Sequence, residues 1–338
     1  MMRRVMAAVL FVALAVSASA QSSHFNAGVT RLTVPDETAP IDTLVFYPTN
    51  APEVPWQAGP LVVEASRNAT LAANQRFPTV LLSHGRRGGP LSHRDLAVAL
   101  ARAGFIVIAP THIGDASGFP LAQSQAQVLI DRPRQAEEAL DAVLSSARFA
   151  RSVDASRIGM IGYSAGGYTA LTLAGAKPDF EHAIAVCAHL DDPGSCPPSG
   201  AKENMAGSTS NASFLSPKLA TWRPPVDLRL KALVLMDPLA VMFDSSSLAP
   251  IHVPMLLYRP QSDAYLNATW NVLAVASGFP VPPKLVVVPG SHFVFIDSCP
   301  PQIAAAERLI CQDEPGVDRS SIHRQIETQV IAFLQANL

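Results

Sequence analysis

Short apolar runs recur along the chain, separated by longer stretches in which the apolar residues follow helical spacing. The runs are Val29–Val34, Thr43–Tyr47, Thr79–Ser83, Phe105–Pro110, Ile158–Tyr163, Ala232–Met236, Pro254–Tyr258 and Leu285–Val288. Buried strands alternating with helices specify a mainly parallel sheet covered on both faces. The first two runs are expected to form an antiparallel lead-in. Helices are expected over His93–Ala103, parts of Gln123–Ala150, Ala165–Ala176, Tyr265–Ser277 and Ile322–Asn337, and Pro133 should start or kink a helix. From about Asp191 to Pro225 the rhythm gives way to a Pro-, Ser-, Gly- and Asn-rich segment, which reads as a loop-rich insert before the sixth strand and not as a separate domain. The expected fold class is α/β, with an eight-stranded, mainly parallel sheet in one domain spanning residues 21–338.

The N-terminus departs from this pattern. Arg3 and Arg4 precede an apolar run from Val5 to Val16, and Ala18-Ser19-Ala20 supplies small residues at cleavage positions, the pattern of a signal peptide over residues 1–20 cut after Ala20. The run is shorter than the roughly 20 apolar residues of a spanning helix, so no integral membrane segment is expected after cleavage. A periplasmic or secreted protein follows. Composition then narrows the partners: 338 residues, 49% of them hydrophobic, can bury a sizeable core, while a net charge of -2 with 15% charged residues offers no basic face for nucleic acid. A small, largely uncharged molecule is the expected partner. The four cysteines suit disulfides in an oxidising compartment, and of the possible pairings Cys187–Cys196 and Cys299–Cys311 close the shortest loops. Zinc is not expected, because no CxxC or HExxH spacing accompanies the thiols.

Candidate chemistry centres on Gly162-Tyr163-Ser164-Ala165-Gly166, a G-x-S-x-G match at the junction of a strand and a helix. Glycines permit a sharp turn that lifts the Ser164 hydroxyl above the sheet, and the helix start aims its amides at the same point. The alternative is an ordinary helix-capping serine. A hydroxyl needs a base to become a nucleophile, and the base needs a carboxylate to hold its ring, in the chain order Ser, acid, His. His292, in "VVVPGSHFVFID", follows the last strand through a Pro-Gly turn and is the candidate base, whereas His323 is expected to cap or decorate the terminal helix. Two aspartates compete for the acid. Asp263 follows the penultimate strand and Asp237 lies at the tip of the strand before it, with the loser expected to order a loop. Oxyanion donors are expected from the backbone amides of Ala165 and of Arg86, the latter in the Gly-rich turn of "LLSHGRRGGP", where His84 is a candidate to support the loop by hydrogen bonding.

The segments "SHGRRGG", "GYSAGGYTAL", "ALVLMDP", "GSHFVFIDSC" and "CQDEPGVDRSSIHRQI" together resemble the α/β-hydrolases. Within them the chain resembles the exported bacterial group often named predicted dienelactone hydrolases, itself similar to platelet-activating-factor acetylhydrolases. The resemblance implies an α/β-hydrolase fold and hydrolysis of carboxylic esters through an acyl-enzyme, with no cofactor or metal. It leaves both acids open: in the acetylhydrolases the acid follows the strand that carries Asp237, and in polyester-cleaving and dienelactone-type relatives it follows the strand before Asp263. Dienelactone hydrolases proper use a cysteine nucleophile, so Ser164 favours a serine esterase or lipase-like activity. Peptidase or amidase action with the same triad, or a catalytically silent binding protein, are the alternatives. Because His292 must be neutral to accept a proton, activity is expected to rise with pH through roughly 6 to 8.

Overall fold

The computed structural model describes residues 25–118, 124–190, 192–196 and 217–338; the expected signal peptide and most of the expected insert lie outside the described residues. The eight apolar runs all form strands. Numbered in chain order, they are β1 (Asn26–Val34), β2 (Ile41–Thr49), β6 (Phe77–Ser83), β7 (Ile106–Pro110), β8 (Val153–Tyr163), β9 (Leu230–Met236), β10 (Met255–Pro260) and β11 (Lys284–Val288). Three short strands join them: β3 (Trp56–Ala58), β4 (Leu61–Val63) and β5 (Ser66–Arg67). The main sheet therefore has nine strands and not eight, in the order β11-β10-β9-β8-β6-β7-β2-β1-β5, because β5 adds a two-residue edge; β3 and β4 pair separately. From β6 to β11 the neighbours are parallel, and β1 and β2 are antiparallel to each other, with β2 antiparallel to β7.

Alternate residues of each strand enter different layers. Val45, Tyr47, Leu81 and Met160 pack with helices α2 (Gln125–Ser145), α3 (Ala165–Leu173) and α4 (Phe180–Cys187), whereas Leu44, Phe46, Val80, Leu82 and Ile161 pack with α1 (Arg94–Arg102) and the terminal helix. Both faces of the sheet are thus buried, which is why its strands read as unbroken apolar runs. After β6 the chain crosses to β7 on one side and returns to β8 on the other. That reversal opens a crevice at the carboxyl ends of β6 and β8.

Two helices differ from expectation for identifiable reasons. Pro133 neither starts nor breaks α2, which runs through it. The carbonyl that the proline leaves without its usual donor, that of Leu129, accepts the Tyr168 hydroxyl at 3.0 Å. The helix expected from Tyr265 begins only at Val272 and forms α5 (Val272–Ser277). Upstream of it the Asp263 carboxylate takes the amides of Tyr265 and Leu266, and Asp192 takes that of Asn267, so these donors are spent on side chains. The terminal helix α6 (Arg319–Asn337) starts three residues before the expected Ile322, capped by Asp318, whose side chain accepts from Ser321. Both expected disulfides, Cys187–Cys196 and Cys299–Cys311, are present.

Candidate active site

Ser164 sits between β8 and α3 with φ +52°, a left-handed backbone that a non-glycine residue holds only where its surroundings enforce it. Its amide donates to the Met236 carbonyl and its carbonyl accepts from Leu239, which ties the turn to the loop after β9. The flanking glycines are a matter of space. A methyl at Gly162 would run into the Gly166 carbonyl, and one at Gly166 would run into the carbonyl of Ser83 on β6. Gly166→Ala is accordingly expected to cost about 1–3 kcal/mol of stability, read as a lower urea midpoint with an unchanged slope.

His292 reaches this turn from the β11 edge of the sheet, past β9 and β10. It follows β11 and opens a short 3-10 turn (His292–Phe295), and its Nε2 lies 3.1 Å from the Ser164 hydroxyl oxygen. Both residues are buried. The ring is held between Tyr163 and Tyr265, at centroid distances of 5.1 and 4.8 Å, and the Tyr163 hydroxyl donates to the His292 carbonyl. His323 does more than decorate its helix: it is partly buried, its Nε2 lies 2.7 Å from the Val294 carbonyl, and its Nδ1 is 3.3 Å from Asp297. It braces the segment that follows His292.

Both candidate acids meet the same imidazole nitrogen. Asp237 Oδ2 is 2.6 Å from Nδ1 and Asp263 Oδ2 is 3.3 Å away. The two side chains are 1% and 3% exposed. Asp237 also has a left-handed backbone, and its other oxygen has no partner among the described residues, whereas Asp263 spends its Oδ1 on the Tyr265 and Leu266 amides. Burial pushes the Asp237 carboxyl up and the neighbouring Asp263 adds to this, while the bond and charge of His292 oppose it and favour the carboxylate. At Asp263 burial also raises, but the hydrogen bonds to His292 and Asp237 win and hold it at about 2. Burial alone would lower the His292 imidazole; the two carboxylates overcome this and raise it to about 9. The three groups offer ligand atoms within 4.8 Å of one another, but the 2.6 Å between His292 Nδ1 and Asp237 Oδ2 is a hydrogen-bond separation, shorter than the roughly 3.3 Å between two ligands of a tetrahedral zinc.

The Gly-rich turn after β6 faces Ser164 across the crevice, and a methyl at Gly85 would meet the Tyr163 ring and the Ser164 side chain. Among the described residues the amides of Arg86 and Ala165 donate to no protein acceptor. The Arg86 side chain turns away to Gln125 at 2.7 Å. Beneath the turn, His84 Nδ1 bonds the Gly85 carbonyl at 2.7 Å and its Nε2 accepts from the His112 amide. Burial lowers His84 to about 3, with the nearby Arg132 adding to it, so the ring is neutral and can do both. Arg132 itself is fully buried. It bonds the His84 carbonyl, Ser83, Thr169 and, at 2.5 Å, Asp115, joining α2 to the ends of β6 and β7 and to α3. Nothing in its local sequence marks it, because all these partners are distant along the chain. Beside the turn opens a cavity of about 440 Å³, with Pro90 and Leu91 on one side and Ile296 and Pro300 on the other.

A model described as the dienelactone hydrolase family matches residues 67–198, the stretch that carries the Gly-rich turn and Ser164 but neither acid nor His292. No curated protein matches the chain. Among solved structures, a ferulic acid esterase from Streptomyces cinnamoneus is similar, with a TM-score of 0.58, 17% sequence identity, and coverage of 95% of this chain and 92% of that one. At that identity the likeness speaks to the fold.

Proposed function

We propose that this chain is a dienelactone hydrolase-like α/β-hydrolase that cleaves carboxylic esters through a Ser164 acyl-enzyme. The observation that carries the reading is one buried line of hydrogen bonds: Ser164 hydroxyl to His292 Nε2 at 3.1 Å, and His292 Nδ1 to Asp237 at 2.6 Å. Ser164 attacks the ester carbonyl while His292 takes its proton. The tetrahedral oxygen is held by the Ala165 and Arg86 amides, and His292 then returns the proton to the leaving alkoxide. Water repeats the sequence on the acyl-enzyme. Asp237 is the orienting acid on distance and burial, and Asp263 is a second carboxylate on the same nitrogen. The likeness to the dienelactone hydrolase family supports a small-molecule ester as partner, and the two disulfides support an oxidising compartment, periplasmic or extracellular. A fluorophosphonate probe should label wild type and not Ser164→Ala, and a p-nitrophenyl ester should be hydrolysed in preference to an aminoacyl anilide. Absence of labelling in wild type would sink the reading.

The electrostatics move the expected pH profile. A base held in its charged form by two carboxylates must lose its proton to act, so kcat/KM should rise with pH around a midpoint above the ordinary imidazole value of about 6.5 and towards 9, higher than the window expected from sequence. Asp263→Asn removes one of the groups that favour the imidazolium, so its midpoint should fall relative to wild type. Measurement of kcat/KM across pH 5 to 10 in both proteins checks the sign.

A further inference from the structure

The two carboxylates that meet His292 sit on separate loops, after β9 and after β10, and one side chain joins those loops. Asn271 is fully buried immediately before α5, at the N-cap position, yet its side chain makes no cap hydrogen bond. Its Oδ1 instead accepts from the Ala240 amide at 2.8 Å, on the loop that begins at Asp237. Its Nδ2 donates to the Asn267 carbonyl, on the loop that begins at Asp263, and also to Asp192 at 3.2 Å and Ser195 at 3.1 Å. The last two belong to the turn closed by the Cys187–Cys196 disulfide. The same turn touches the Asp263 loop twice more: Asp192 accepts from the Asn267 amide, and the Gly194 amide donates to the Tyr265 carbonyl at 2.8 Å.

We propose that Asn271 is a positioning residue for His292, one buried amide that fixes the spacing of the Asp237 and Asp263 loops and ties both to the disulfide-closed turn. An asparagine used for helix capping alone would aim its side chain at the amides of its own helix. Here that donor-acceptor pair is spent on two other chain segments and on the Asn267 carbonyl of its own loop, in a place where each bond lost leaves a buried polar group without a partner. The inference rests on the proposed roles of Ser164, His292 and Asp237. Besides the Ser164 hydroxyl, the titratable groups facing the His292 ring among the described residues are Asp237, Asp263, Tyr163 and Tyr265. The first two are the ones whose distance Asn271 controls.

The test uses Asn271→Leu and the milder Ser195→Ala, which removes only the hydroxyl contacts. Both should lower plateau kcat, by about 10- to 100-fold for Asn271→Leu, with KM little changed, because misplacement by a fraction of an ångström acts on the transition state. The acid-limb midpoint of kcat/KM should move down, since separated carboxylates favour the imidazolium less. The His292 ring is followed separately by NMR titration in a Ser164→Ala background, where the same downward shift is expected with no turnover required. If melting temperature falls in Ser195→Ala and Asn271→Leu but kcat, the midpoint and the ring titration stay at their wild-type values, Asn271 is a packing residue and the inference fails. If the ring titration shifts as expected while wild type neither hydrolyses esters nor takes the fluorophosphonate, the positioning role stands and the ester-hydrolase reading falls.

Discussion

Ser164→Ala is expected to lower kcat on a p-nitrophenyl ester by about 10⁶-fold, the scale seen when a triad serine is removed from a serine hydrolase. The expectation follows from what stays behind. Alanine keeps the methylene and the small volume, and the turn is held by backbone bonds from Ser164 to Met236 and Leu239, so the fold should survive. The Arg86 and Ala165 amides also remain, and they should leave a residual rate above that of water. What disappears is the only described hydroxyl 3.1 Å from His292 Nε2. Stopped assays with the variant purified separately from wild type give the size of the loss, and an unchanged melting temperature shows that chemistry alone was removed. A loss of less than tenfold in a folded variant would mean that another group attacks the substrate.

The fold was legible because a strand buried on both faces must be apolar at nearly every position, and the central strands carry that mark over most of their length, whereas β1 and β11 are partly exposed and show shorter or alternating runs. Strands of two or three residues such as β5 have no room for a period and were not foreseen. Helix limits failed where side chains competed for backbone donors, as Asp263 and Asp192 do upstream of α5. Ser164 and His292 could be picked out because each sits in a local pattern, a glycine-flanked turn after a strand. Asn271 and Arg132 have no such pattern. Asn271 meets Ala240 and Asp192 across 31 and 79 residues, and Arg132 meets His84 across 48, so their importance exists only once the loops are assembled. The choice between Asp237 and Asp263 had the same character: both strand ends reach the imidazole, and only the distances rank them.

Those distances lead to the second large expected effect. Asp237→Asn should lower plateau kcat by on the order of 10³- to 10⁴-fold, because an amide in place of the carboxylate at 2.6 Å can turn an N–H towards Nδ1 and favour the wrong imidazole tautomer. Asp263→Asn should cost only about tenfold, the loss of a longer charged hydrogen bond. Part of the Asp263 carboxylate is already committed to the Tyr265 and Leu266 amides, which an asparagine oxygen can still accept. The two effects should not add. In Asp237→Asn the remaining Asp263 still draws a proton onto Nδ1, so the double variant should fall further than Asp237→Asn does, by more than the Asp263 substitution costs alone. Rates are compared on the high-pH plateau, since either substitution also lowers the midpoint of the acid limb and a single pH would mix the two changes. If Asp263→Asn proves the more damaging, the acid is the residue after β10 and Asp237 is the carboxylate that orders a loop.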